Sequence, residues 1–74
     1  GSGLNRMTKS VLRGEHLDPG DRHRHIFSAA ANLTECGAPL SLVIDLLWDV
    51  ARESGLPPKE ITRQIECGFR KGSS

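Results

Sequence analysis

The stretch DRHRH, Asp21 to His25, alternates arginine and histidine directly before the apolar run IFSAAANL. If it opens a helix, unpaired backbone amides there already favour an anion. Arg22 and Arg24 would add forked donors, and His23 or His25 a further one when protonated. One phosphate held this way is chemically reasonable. The competing reading is structural. Asp18 or Asp21 caps the helix, the arginines pair with these acids in water, and no site exists. His23 precedes Phe27 by four residues and falls near the apolar face, so packing suits it better than ligation. Arg22 and Arg24 are expected to point outward.

Two further charge lines stand out. Lys59, Arg63 and Arg70 are spaced four and seven apart, with Glu66 between them. They are either a phosphate track, whose binding weakens with salt, or a solvated face. Asp45, Asp49 and Glu53 recur every four residues around Trp48 and offer an acidic surface for a partner. A hard cation on Asp45 and Asp49 is the less economical reading. The candidate zinc ligands, His16, His23, His25, Cys36 and Cys67, contain no short pair at ligand spacing. His23 and His25 would point to different sides of a helix. No metal and no cofactor is expected. GEHLDPGD has glycines and acids but no lysine and no following strand, so it is not a phosphate loop. No nucleophile stands in a recognisable catalytic setting: Cys36 and Cys67 lie inside apolar helical patterns and read as buried or half-buried free thiols. The chain is not expected to be an enzyme by itself.

The elements that would position these residues are set by punctuation. Pro19-Gly20, Gly37-Ala38-Pro39 and Gly55-Leu56-Pro57-Pro58 cut the chain into three helix-length pieces. The first runs from about Asp21 to Cys36, with Ile26, Phe27, Ala30 and Leu33 on one face. The second runs from about Ser41 to Ser54, opened by Ser41 as cap or Pro39 at its first position. Leu42, Val43, Leu46, Leu47 and Val50 make a wide stripe on it. With Ile44 and Trp48 it is apolar nearly all round, which predicts the central helix. The third begins at Pro58, with Glu60 at the positive end of its dipole and Arg70 and Lys71 at the negative end. Ile61, Ile65 and Phe69 form its inner face, and Gly68 either weakens the last turn or permits a close helix contact. Asn5 to Leu12 has the spacing of a short helix with Leu4, Met7, Val11 and Leu12 as its apolar edge. The expected fold is all-α: a small three-helix bundle, with or without a short additional helix at the amino end. Residues 1–3 read as a scar or linker, 4–16 as a linker or that short helix, 17–71 as the bundle and 72–74 as linker or scar.

The whole chain has 74 residues, enough for one small core. No apolar run approaches the ~20 residues of a membrane span, and no signal peptide is visible. Two cysteines are no disulfide framework and fit a reducing, cytoplasmic setting. Net charge is +1 and commits to no partner, but its distribution is uneven. Leu4 to Arg24 carries +2, His25 to Leu56 carries −3, and the remainder from Pro57 carries +2. Such asymmetry can orient a domain against a polyanion and is too weak to hold one alone. The second and third helices do not expose the Asn, Gln and Arg set of a base-reading helix.

PGDRHRHIFSAAANL, a mid-chain helix, and SGLPPKEITRQIECGF together resemble the small helical domain that follows the catalytic part of phage and plasmid replication primases, the primase C-terminal domain. The shared features fall on Gly20, Asp21, Arg22 and His23, and on Pro57, Pro58, Glu60, Ile61, Ile65 and Gly68, over roughly Leu17 to Lys71. His23 departs from the asparagine common there. The resemblance implies a non-catalytic module of a longer primase or primase-helicase. It would assist binding of single-stranded DNA template or initiating nucleotide, beside the catalytic primase and helicase domains of the same chain. Arg22, His23, Arg24, Lys59, Arg63 and Arg70 are the expected phosphate contacts. The alternative is a protein-interaction module that docks through Asp45, Trp48, Asp49 and Glu53.

Overall fold

A computed structural model of the chain describes residues 4–15 and 20–73. The punctuation falls at helix ends. Four helices and no strand occur among the described residues: α1 Arg6–Leu12, α2 Arg22–Glu35, α3 Leu40–Glu53 and α4 Pro58–Ser73. The architecture is all-α. None of these helices is long and apolar enough to cross a membrane.

Asn5 caps α1 by accepting the Thr8 amide hydrogen at 2.8 Å. Asp21 sits at the cap position of α2, but its side chain makes no capping hydrogen bond. Asp18, the other expected cap, and His16 lie outside the described residues. Pro39 is the cap residue of α3 rather than its first helical residue, and Ser41 lies inside the first turn. The α3 end shows why glycine was needed: Gly55 has φ +98°. There its amide donates to Arg52 O at 3.0 Å and the Leu56 amide to Ala51 O at 3.2 Å. Leu56 is buried in the same core cluster as Ala51, in keeping with the apolar closure typical of this ending.

The packing centres on α2, which touches the other three helices and lies most extensively against α4. His23 adjoins Glu60, Phe27 and Ala30 adjoin Gly68, and Ala31 and Thr34 adjoin Gly72. Helices α2 and α4 therefore run in the same direction, and α3, which connects them, runs back antiparallel to both. A Cβ built at Gly68 would stand 2.5 Å from Phe27 O and 2.7 Å from Ala30 Cβ, so only hydrogen fits. At Gly72 a Cβ would meet Ala31 O and Thr34 Cβ. Two backbones approach closely here because Ala30 and Ala31 face glycines. Ile26, Leu47, Ile61, Ile65, Val43 and Val11 fill the core beside this seam.

Several expectations are corrected. The central helix is α2, not α3, because its alanines admit a second backbone while the larger residues of α3 do not. Helix α3 buries only the strip Val43, Leu47 and Ala51. Leu42 and Leu46, expected inside, are exposed. On α4 the inner face turns from Ile65 onto Gly68 and leaves Phe69 half-buried. That helix also continues to Ser73, so Gly72 is a packing residue rather than the start of a linker. On α1 the buried side is Thr8, Ser10 and Val11, with Met7 exposed. The reason is polar. Asn32 Oδ1 on α2 accepts from the Asn5 amide at 2.9 Å and from the Thr8 hydroxyl at 2.7 Å. This anchor buries Thr8 beside Val11, while Leu4 and Leu12 of the expected edge pack against the core and only Met7 is left exposed.

Candidate functional site

The expected phosphate contacts separate into two groups. Arg22, expected outward, is half-buried, and its Nη1 donates to Ser54 O at 2.7 Å. That carbonyl is at the end of α3, where the helix dipole is negative and a cation is stabilised. Arg22 Nε is buried without a partner among the described residues. A Cβ at Gly55 would lie 3.2 Å from Arg22 Nη1, so glycine there also leaves room for the guanidinium. Arg22 is thus a staple between the start of α2 and the α3–α4 turn. His23 is half-buried, with Nε2 3.6 Å from Glu60 Oε2, an ion pair whenever the imidazole is protonated. Arg24 is exposed on α2.

The second group is built by α4. Successive residues turn about 100° around a helix, so Lys59, Arg63 and Arg70 fall within a narrow sector. That sector lies on the side of α4 opposite Gly68 and Gly72, which face α2. All three are exposed. Lys59 and Arg63 make no hydrogen bond or ion pair with a described residue. Together with Pro58, Thr62, Cys67 and the exposed acid Glu66, which interrupts the line, they border a shallow hollow along the helix. Lys59 to Arg70 spans about 16 Å at 1.5 Å per residue. The structure therefore brings Lys59, Arg63 and Arg70 together and leaves Arg22, His23 and Arg24 elsewhere. Of the expected contacts on α2, Arg22 is engaged internally at Ser54 O and Arg24 is exposed.

On α3, Asp45, Asp49 and Glu53 are exposed, and Trp48 is half-buried against the core. Ile44, Asp45, Trp48 and Asp49 line a second shallow hollow. Cys36 and Cys67 are free and exposed, not buried in apolar faces. Among the described residues no group of three or more His, Cys, Asp or Glu side chains is placed to hold a metal ion.

Sequence reasoning missed the Asn32 anchor, the exposure of Leu42 and Leu46, and the Gly72 half of the seam; a close helix contact at Gly68 was one of two readings for that residue. The seam had a signal, two glycines four apart in GFRKG. The anchor had none, since an asparagine inside a helical pattern reads equally well as a surface residue.

No family model, no curated protein and no solved structure matches the chain.

Proposed function

We propose that this chain is a non-catalytic helical accessory module of a replication primase, cytoplasmic in setting. Helices α2, α3 and α4 act as its three-helix bundle. It assists binding of single-stranded template or initiating nucleotide by holding phosphates along the outer side of α4. Lys59 and Arg63 carry the contact, and Arg70 extends the same line. The observation that carries this reading is the convergence of these cations on one open stripe, with Lys59 and Arg63 not consumed by acids among the described residues. A second observation supports the module itself. The two stretches that resemble the primase domain meet each other: Arg22 at Ser54, His23 at Glu60, and the middle of α2, at Phe27 and Ala30, at Gly68. Residues that carry the likeness hold the fold, while ligand contact is left to the outer face.

The test is fluorescence anisotropy of a labelled single-stranded 12-mer against the full chain, titrated between 50 and 500 mM salt. Two or three neutralised phosphates on single-stranded DNA give a log–log slope of about −1.4 to −2, so affinity falls at least about 25-fold across that range. Lys59→Ala with Arg63→Ala reduces the slope by about 1.4 with the helical content intact. No binding at 50 mM, or binding indifferent to this pair, rejects the reading.

A further inference from the structure

Leu42 and Leu46 are 43% and 40% exposed, one turn apart on α3. With half-buried Val50 they form an apolar strip down one edge of the helix. Asp45, Asp49 and Glu53 border it, all exposed. At its carboxyl end the strip opens into a hollow lined by Gly14, Val50, Glu53 and Ser54. From Leu42 to Glu53 it is about 16 Å long, three helical turns. The charge is locally inverted. Helix α3 holds three acids and Arg52, a net −2, while the whole chain is +1, leaving +3 for everything else.

We propose that this face of α3 is a docking site for a basic amphipathic helix of a partner segment. Apolar side chains of that helix, three and four residues apart, cover Leu42, Leu46 and Val50. Lysines or arginines along its margin meet Asp45, Asp49 and Glu53. This is a helix-in-groove contact with electrostatic complementarity setting the orientation. The charge pattern chooses the occupant. An acidic border repels nucleic acid and anionic lipid and attracts a cationic segment. A second copy of this chain fits poorly: pairing through the same face sets the acids Asp45, Asp49 and Glu53 against their own kind, and the basic stripe on α4, bordered by Pro58, Thr62, Glu66 and Cys67, brings no large apolar residue to cover the leucines. The site is on a different helix from the phosphate stripe and stands independently of it.

The experiment titrates the isotope-labelled chain, followed by backbone-amide NMR and calorimetry, with two synthetic 14-residue peptides. One has leucines at helical spacing with lysine elsewhere, and the other has glutamate in place of lysine. The Leu/Lys peptide should shift amides of residues 42–53, and the Leu/Glu peptide should not bind. Leu42→Ser with Leu46→Ser should weaken the Leu/Lys complex at least about tenfold, as expected for residues at the centre of an interface. Asp45→Asn with Asp49→Asn should weaken it several-fold and flatten its salt dependence. Both side-chain pairs are exposed, so an unchanged thermal midpoint confirms that folding is not the cause. Equal binding of the two peptides, a shift map centred on another helix, or insensitivity to the leucine pair overturns the proposal. So does sedimentation showing that the chain dimerises through Leu42 and Leu46, because the occupant is then a second copy.

Discussion

At the scale of single residues, the cation that looked most like a ligand contact is a structural part. Arg22 and Arg24 are two apart in the same helix, yet one binds Ser54 O and the other lies in water. Arg22→Ala should lower unfolding free energy toward the smaller end of about 1.5–3 kcal/mol, since one charged hydrogen bond is lost and the orphaned Nε goes with it. Arg24→Ala should change it by no more than about 0.5 kcal/mol. Urea denaturation of the two variants separates them, and equal losses would refute the staple. Asn32 makes a comparable statement about α1. Asn32→Ala leaves the Asn5 amide and the Thr8 hydroxyl without their acceptor, at a cost of about 1–3 kcal/mol. Hydrogen exchange should then show amides of residues 8–12 losing protection before those of α2. Uniform loss across the molecule would mean that Asn32 serves the whole core instead.

At the scale of elements, the seam between α2 and α4 organises the molecule. Replacing a helical glycine by alanine ordinarily adds about 1 kcal/mol of helix propensity. At Gly68 the new methyl meets Phe27 O and Ala30 Cβ at closer than contact distance, and overpacking of this kind costs about 1–3 kcal/mol. Gly68→Ala is therefore expected to lower the thermal midpoint despite the better helix former. A raised midpoint would show that α2 and α4 are not this close. Helix positions were legible beforehand because proline and glycine mark ends through backbone geometry: α3 and α4 start within a residue of the expected places and α2 spans nearly the expected range. Helix partners were not legible. The apolar stripe of α3 was wide enough to bury on several sides, and the choice of buried strip depended on which neighbours arrived. Those neighbours were set by small residues on α2 and α4, whose role appears only when two backbones meet.

At the scale of the whole molecule, charge is partitioned between helices: a cationic outer side on α4 and an acidic, leucine-edged side on α3. Screening at physiological salt has a range of about 8 Å, so each face acts through its own neighbours more than through net charge. Removing Lys59 and Arg63 takes the chain from +1 to −1. It should nevertheless leave docking of the Leu/Lys peptide within about twofold at 150 mM salt. Coupling larger than that would show that the two faces share residues. Both thiols should react with a chromogenic disulfide reagent in the native state nearly as fast as in urea, since Cys36 and Cys67 are exposed. Slow native labelling of either would contradict its placement.

By itself the sequence determined the all-α class and, to within a residue or two, both ends of α2 and α3 and the start of α4; it left open whether a helix precedes α2 and ended α4 short of Ser73. Those properties follow from local backbone chemistry: ring-fixed φ in proline, permissive φ in glycine, and apolar periodicity. It also placed Lys59, Arg63 and Arg70 on one line, because spacing along a helix determines direction around it. Only the tertiary structure decided that Arg22 is spent on a carbonyl of another helix, that α2 rather than α3 is central, and that Leu42 and Leu46 face solvent. Each of these depends on what lies across a contact between distant residues, and residue type alone does not say which of several apolar or charged faces finds a neighbour.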